Sequence, residues 1–135
     1  MKMYLNFSLF YAVAAMAGGV FYREFTKWNG FSGSTTLGKV HTHLFLLGMM
    51  VFLVVALFAK NGNLHTQKTF RAFLYIYNTG VLLMVIMMII RGIPQVTGIT
   101  LSSGIDAAIS GIAGIGHILV GTGIILLLVS LKKLF

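Results

Sequence analysis

Leu37-Gly38-Lys39-Val40-His41-Thr42-His43-Leu44-Phe45-Leu46-Leu47-Gly48-Met49-Met50-Val51-Phe52-Leu53-Val54-Val55-Ala56-Leu57-Phe58-Ala59 decides the class of this protein. Beyond Lys39 the run carries no acid, lysine or arginine until Lys60. At 1.5 Å per residue it is long enough to cross a hydrocarbon core of ~30 Å, and a helix this apolar has no place in a small water-soluble fold. It reads as a membrane span.

Three similar runs flank it. Upstream, a span from about residue 4 to 21 ends at Tyr22-Arg23-Glu24, and a Gly/Ser/Thr-rich loop follows with Trp28 and Phe31, rings suited to the membrane interface. Downstream, Lys60-Asn61-Gly62-Asn63 closes the decisive run and leads through His65, Lys68 and Arg71 to a third span over about 73–90. That span is expected to stop at Arg91-Gly92-Ile93-Pro94, where proline cannot extend the helix. A fourth covers about 103–131, before Lys132 and Lys133. The expectation is an all-α integral membrane protein, a four-helix bundle forming a single domain over residues 1–135.

Composition narrows the chemistry. Apolar residues make up 58% of the 135 and charged residues 9%, too few to solvate a soluble surface that typically carries about 25%. With no cysteine, disulfides, thiolate metal sites and cysteine nucleophiles are excluded. Glu24 and Asp106 are the only acids, which argues against paired-carboxylate catalysis and hard-cation cages. A net charge of +8 would suggest nucleic acid in a soluble protein, but here the bases sit at the ends of apolar runs, where they set membrane topology. Nucleic acid is therefore not an expected partner; the lipid bilayer is. Lys2 and Ala15-Met16-Ala17 resemble a signal peptide with its cleavage site, yet no soluble domain follows, so the first run is read as a retained span.

Lys2, Lys60, Lys68, Arg71, Lys132 and Lys133 fall on one side of the predicted topology, and Arg23, Lys27, Lys39 and Arg91 on the other. The positive-inside rule then places both termini in the cytoplasm of a bacterial inner membrane, with His41 and His43 entering from the outer face. The fourth span carries Gly104, Gly111, Gly114, Gly116, Gly121 and Gly123. Such residues serve close helix packing in lipid, or a smooth wall for a flat macrocycle; the sequence leaves both open.

Ligand-type side chains inside a span are functional candidates by default. His41 and His43 are two residues apart, hence about 200° apart around a helix, and cannot chelate one metal from one face. A helix so equipped offers one imidazole to each of two neighbouring sites; the plainer reading is two interfacial histidines bonded to carbonyls or water. His117 lies deep in the fourth span, about 16 Å inward from Asp106, whereas His43 is about 6 Å inward from Lys39. That mismatch makes His117 an awkward partner for an upright haem between the same two helices; a second ligand, a buried polar group and an interhelical contact all remain open for it. His65 lies in a polar loop and needs no special explanation. Arg23 and Arg91, at the outer ends of the first and third spans, could bind haem propionates bidentately, snorkel to the interface, or pair with Glu24 or Asp106. Met49-Met50 could offer thioethers to copper or haem, though filling core gaps is the commoner use of methionine.

His41-Thr42-His43 followed by Leu44-Phe45-Leu46-Leu47-Gly48-Met49 resembles the histidine-bearing helix of haem–copper oxidase subunit I. In that family the first histidine of the motif ligates the high-spin haem and the second the low-spin haem. The subunit has twelve spans in three arcs of four, with its histidines mainly on the second helix of each arc. A homotrimer of this chain would be similar to a symmetric version of it. The resemblance implies haem, of b type, clamped by His43 of one protomer and His41 of its neighbour, with up to three equivalent sites. The consecutive histidine pair and cross-linked tyrosine of the oxidase copper centre are missing, which argues against oxygen reduction, and the scarcity of protonatable residues in the spans argues against proton pumping. Gly18-Gly19-Val20-Phe21-Tyr22-Arg23-Glu24-Phe25 is in addition similar to an uncharacterised family of small four-span bacterial membrane proteins.

The sequence therefore points to a haem-binding membrane protein for electron transfer or redox or gas response, its redox partner unspecified and no catalytic residue assigned. Two alternatives stand beside it. His41, His43 and His117 could hold copper or zinc for transport or sensing, or the chain could be a cofactor-free structural subunit.

Overall fold

The computed structural model describes residues 1–60 and 62–135. Among them there is no strand; α1 (Lys2–Trp28), α2 (Leu37–His43), α3 (Val51–Ala59), α4 (Lys68–Thr97) and α5 (Ser103–Lys132) account for most of the chain. A π-helical segment, Leu44–Met50, joins α2 to α3, so the three pieces make one continuous second helix. Four helices are then long and apolar enough to cross a membrane: Lys2–Trp28, Leu37–Ala59, Lys68–Thr97 and Ser103–Lys132.

Two helices outrun their expected spans. α1 continues past Glu24 because its polar end caps itself: the Thr26 hydroxyl donates to the Tyr22 carbonyl (2.8 Å) and the Asn29 amide to the Phe25 carbonyl (2.8 Å). α4 does not stop at Pro94, correcting the boundary expected from that residue. Pro94 removes one backbone donor, but neighbouring side chains stabilise this end of the helix. The Thr36 hydroxyl donates to the Met88 carbonyl (2.7 Å), the Thr35 hydroxyl to the Gly92 carbonyl (3.1 Å), and the Gln95 side chain accepts from the Thr36 backbone (2.9 Å). The helix ends instead at Gly98, whose φ of 74° suits glycine and whose N–H bonds the Pro94 carbonyl.

Short connections make successive helices antiparallel. Lys2, Lys60, Lys68, Arg71, Lys132 and Lys133 therefore share one end of the molecule, and both acids lie at the other with Arg23, Lys27, Lys39 and Arg91. The core is an aromatic column between α1, α3 and α4: Tyr11 stacks on Phe52 at 5.7 Å, and Phe73 meets both Phe70 (5.6 Å) and Tyr77 (5.2 Å).

The bundle is open rather than closed. α1, the second helix and α4 cluster together, while α5 packs along α4 and makes no comparable contact with α1 among the described residues. The α4–α5 approach depends on Gly80, Gly116 and Gly123. A Cβ on Gly80 would lie 2.8 Å from the Val120 nitrogen, and one on Gly123 2.8 Å from the Tyr77 Cβ. Gly104, Gly111, Gly114 and Gly121 face the other way, with nothing within 4 Å. The glycines of α5 thus divide: one set packs against α4 and the other lines an uncovered face.

Candidate functional site

The second helix changes its winding immediately after His43. A π turn hydrogen-bonds one residue further along than an α turn, and such segments are frequent at functional sites. In lipid its carbonyls must find donors inside the protein. Two come from neighbouring helices: the Tyr77 hydroxyl on α4 donates to the Leu47 carbonyl (2.8 Å), and the Ser8 hydroxyl on α1 to the Met49 carbonyl (2.9 Å). Gly48 lies between them, and any side chain there would overlap the Tyr11 ring. The wide turn is held from both sides.

His43 and His117 share one arrangement. The Nδ1 of His43 is 2.7 Å from the Lys39 carbonyl, and that of His117 is 2.8 Å from the Ala113 carbonyl. A carbonyl only accepts, so Nδ1 carries the proton in both rings and Nε2 of the neutral imidazole keeps its lone pair. Metal-ligating histidines are commonly oriented in this way, by a carbonyl on the nitrogen that faces away from the metal. His43 is partly buried and His117 exposed, so the latter stands on the uncovered face of α5.

His41 differs. Its ring packs against α1 at Gly19, where a Cβ would sit 3.6 Å from the His41 Cγ, and its Nδ1 is buried without a hydrogen-bond partner among the described residues. Gly19, in the run Gly18-Gly19, makes the space this imidazole occupies. The three span histidines are not gathered into one site: among the described residues no group of three His, Asp or Glu side chains could hold a metal ion. A three-histidine copper or zinc site within one chain is therefore not formed. His65 is exposed in a short 3-10 turn, Leu64–Thr66, at the lysine-rich end.

The two arginines separate as well. Arg91 Nη2 donates to Asp106 Oδ1 (3.0 Å) and to Ser110 Oγ (2.6 Å), joining α4 to α5. Arg23 is 81% exposed and only 3.8 Å from Glu24 at its nearest, which leaves its guanidinium available to another anion. Met49 packs at the core edge, whereas Met50 is exposed.

A family described as "Protein of unknown function (DUF2871)" matches residues 1–134. The chain belongs to this family. Its uncharacterised status agrees with the likeness noted at Gly18–Phe25. No curated protein and no solved structure matches the chain, and none of the comparisons supports the oxidase resemblance expected from the His-x-His run. The π segment and its hydroxyl donors were not anticipated from sequence. Their signals were a lone glycine inside an apolar run and two hydroxyl-bearing residues, Ser8 and Tyr77, on the facing helices.

Proposed function

We propose that this protein binds haem through histidine in a bacterial inner membrane, with both termini cytoplasmic, and serves electron transfer or a redox or gas response. The observation that carries the reading is His43: its Nδ1–H is committed to the Lys39 carbonyl at 2.7 Å, which leaves Nε2 as the ligating nitrogen. The orientation follows from six basic residues and no acid at one end, against four basic residues and both acids at the other.

A haem suits the donor set but needs more than one chain. His41 and His43 diverge by about 200° and cannot close on one iron. The reading therefore takes a homotrimer in which His43 of one protomer and His41 of its neighbour hold a b-type haem. An uncovered α5 face, with Gly111, Gly114 and Gly121 open and His117 exposed in mid-span, supports assembly, because a histidine left against lipid is costly. Arg23 would meet a propionate; Arg91 is already engaged by Asp106. Haem so held supplies one-electron chemistry. The protein's own part is to fix the imidazole tautomer, exclude water and place the positive charge of Arg23 near the outer boundary.

The test is an absorption spectrum of detergent-purified protein expressed with haem available, oxidised and then reduced with dithionite. A Soret band with sharp reduced α and β bands, lost in His43→Ala and His41→Ala but kept in His117→Ala, supports this ligand pair. Loss in His117→Ala with retention in His41→Ala would assign the second ligand to α5. A featureless spectrum after haem supplementation would sink the haem reading, and metal analysis of the same sample would decide between a histidine metal site and a cofactor-free subunit.

A further inference from the structure

A groove of about 830 Å3 lies between α1 and α4 at the lysine-rich end, away from the histidines of the second helix. Its walls are apolar, with Phe7 and Phe10 on one side and Leu74 and Leu82 on the other. The Tyr11 hydroxyl donates to Asn78 Oδ1 at 2.6 Å, and both residues line the groove, so α1 and α4 are tied together there. This volume is within the range of small-molecule sites, about 300–1,000 Å3.

The dimensions and the charge both point to one occupant. Arg71 and Leu82 stand 11 residues apart along α4, or about 16 Å. That is half of a ~30 Å hydrocarbon core, the depth of one leaflet. Arg71 and His65 line the same groove at its polar end. Arg71 has no ion-pair partner among the described residues, because both acids of the protein pair at the opposite end. Lys68 lies one helical turn from Arg71, and no acidic side chain in the sequence lies at this end.

We propose that the α1–α4 groove is a binding site for an anionic phospholipid of the leaflet at the lysine-rich end, its acyl chain along Phe7, Leu74 and Leu82 and its phosphate against Arg71. Basic pockets between spans select anionic headgroups by charge, and here the apolar channel below the charge would add length-matched burial of a chain. Electrostatics alone would attract any anionic surface; the groove gives the lipid a defined seat.

Native mass spectrometry of the full chain in detergent tests this, titrated with dioleoylphosphatidylglycerol and separately with dioleoylphosphatidylcholine. The expected result is one retained phosphatidylglycerol, bound in preference to phosphatidylcholine. Arg71→Gln should weaken it about fivefold, the worth of one basic residue near a membrane surface, and Arg71→Lys should restore it. Thr79→Phe, at an exposed groove position, should expel both lipids. Circular dichroism checks that each variant remains helical. Equal retention of the two lipids, or binding indifferent to both Arg71→Gln and Thr79→Phe, would overturn the assignment. So would a dimer dispersed by Thr79→Phe, which would give the groove to a second copy. None of these outcomes depends on haem.

Discussion

The Tyr77 hydroxyl reaches across from α4 to the Leu47 carbonyl, 2.8 Å away, and supplies a donor to the widened turn that follows His43. Tyr77 is fully buried, so its hydroxyl has no water to fall back on. Together with Ser8 and Gly48 it makes the π segment a product of three helices rather than of local sequence alone.

Tyr77→Phe should therefore lower stability while keeping the ring packing. Side-chain hydrogen bonds inside membrane proteins are worth about 0.6 kcal/mol on average and at most about 1.7, so a loss near 1 kcal/mol is expected. Unfolding in mixed micelles followed by circular dichroism measures it. No change would mean that the Leu47 carbonyl finds another donor.

Glycines at the α4–α5 contact and on the open face of α5 should respond differently. Gly80→Ala, opposite α5, drives a Cβ to 2.8 Å from the Val120 nitrogen and should cost about 1–3 kcal/mol through overpacking. Gly121→Ala has nothing within 4 Å and should leave the folded chain unaffected. In the trimer reading, the bulkier Gly121→Leu should reduce the oligomer seen by native mass spectrometry; an unaltered trimer would remove this face from the interface.

Arg91 and Arg23 should separate structure from ligand binding. Arg91→Gln breaks the link to Asp106 and Ser110 and should cost up to about 1 kcal/mol, as partly exposed ion pairs do. In the haem reading, haem retention should be unaffected by this change. Arg23→Gln should leave unfolding stability unchanged and weaken haem retention, read from the Soret absorbance after detergent washing. The reverse pattern would move the propionate contact to Arg91.

The threonine pair beside Pro94 offers a fourth check. Thr36→Val removes the 2.7 Å bond to the Met88 carbonyl and should destabilise by about 1 kcal/mol. Pro94→Ala should lose no helix, since α4 already runs through this position to Thr97. Helix content by circular dichroism and denaturation in mixed micelles report the two effects.

Much of the architecture is legible in the sequence. A helical stretch runs from Leu37 to Ala59, over the same residues as the apolar run that Lys60 closes. The third helix was read as ending too early, because Pro94 signals a break only if nothing else supports the backbone around it. Thr35, Thr36 and Gln95 do, and they meet Pro94 only in space. The alternative pairing weighed for Arg91, with Asp106, is the one observed. That His43 and His117 share a carbonyl-bound Nδ1 while His41 does not was hidden, since hydrogen bonding to the fourth preceding residue depends on rotamers that sequence spacing leaves free.

By itself, the order of amino acids determined that this chain is all helical, that four of its helices can span a bilayer, and which residues lie at which end. Those properties follow from hydropathy and length, which are sums over local sequence. Tertiary structure alone decided the widened turn after His43, the division of the α5 glycines between a packed and an open face, and the groove beside Arg71. Each of these depends on which side chains from distant spans meet, and in lipid that choice is made by close packing and by the need to satisfy every buried polar group.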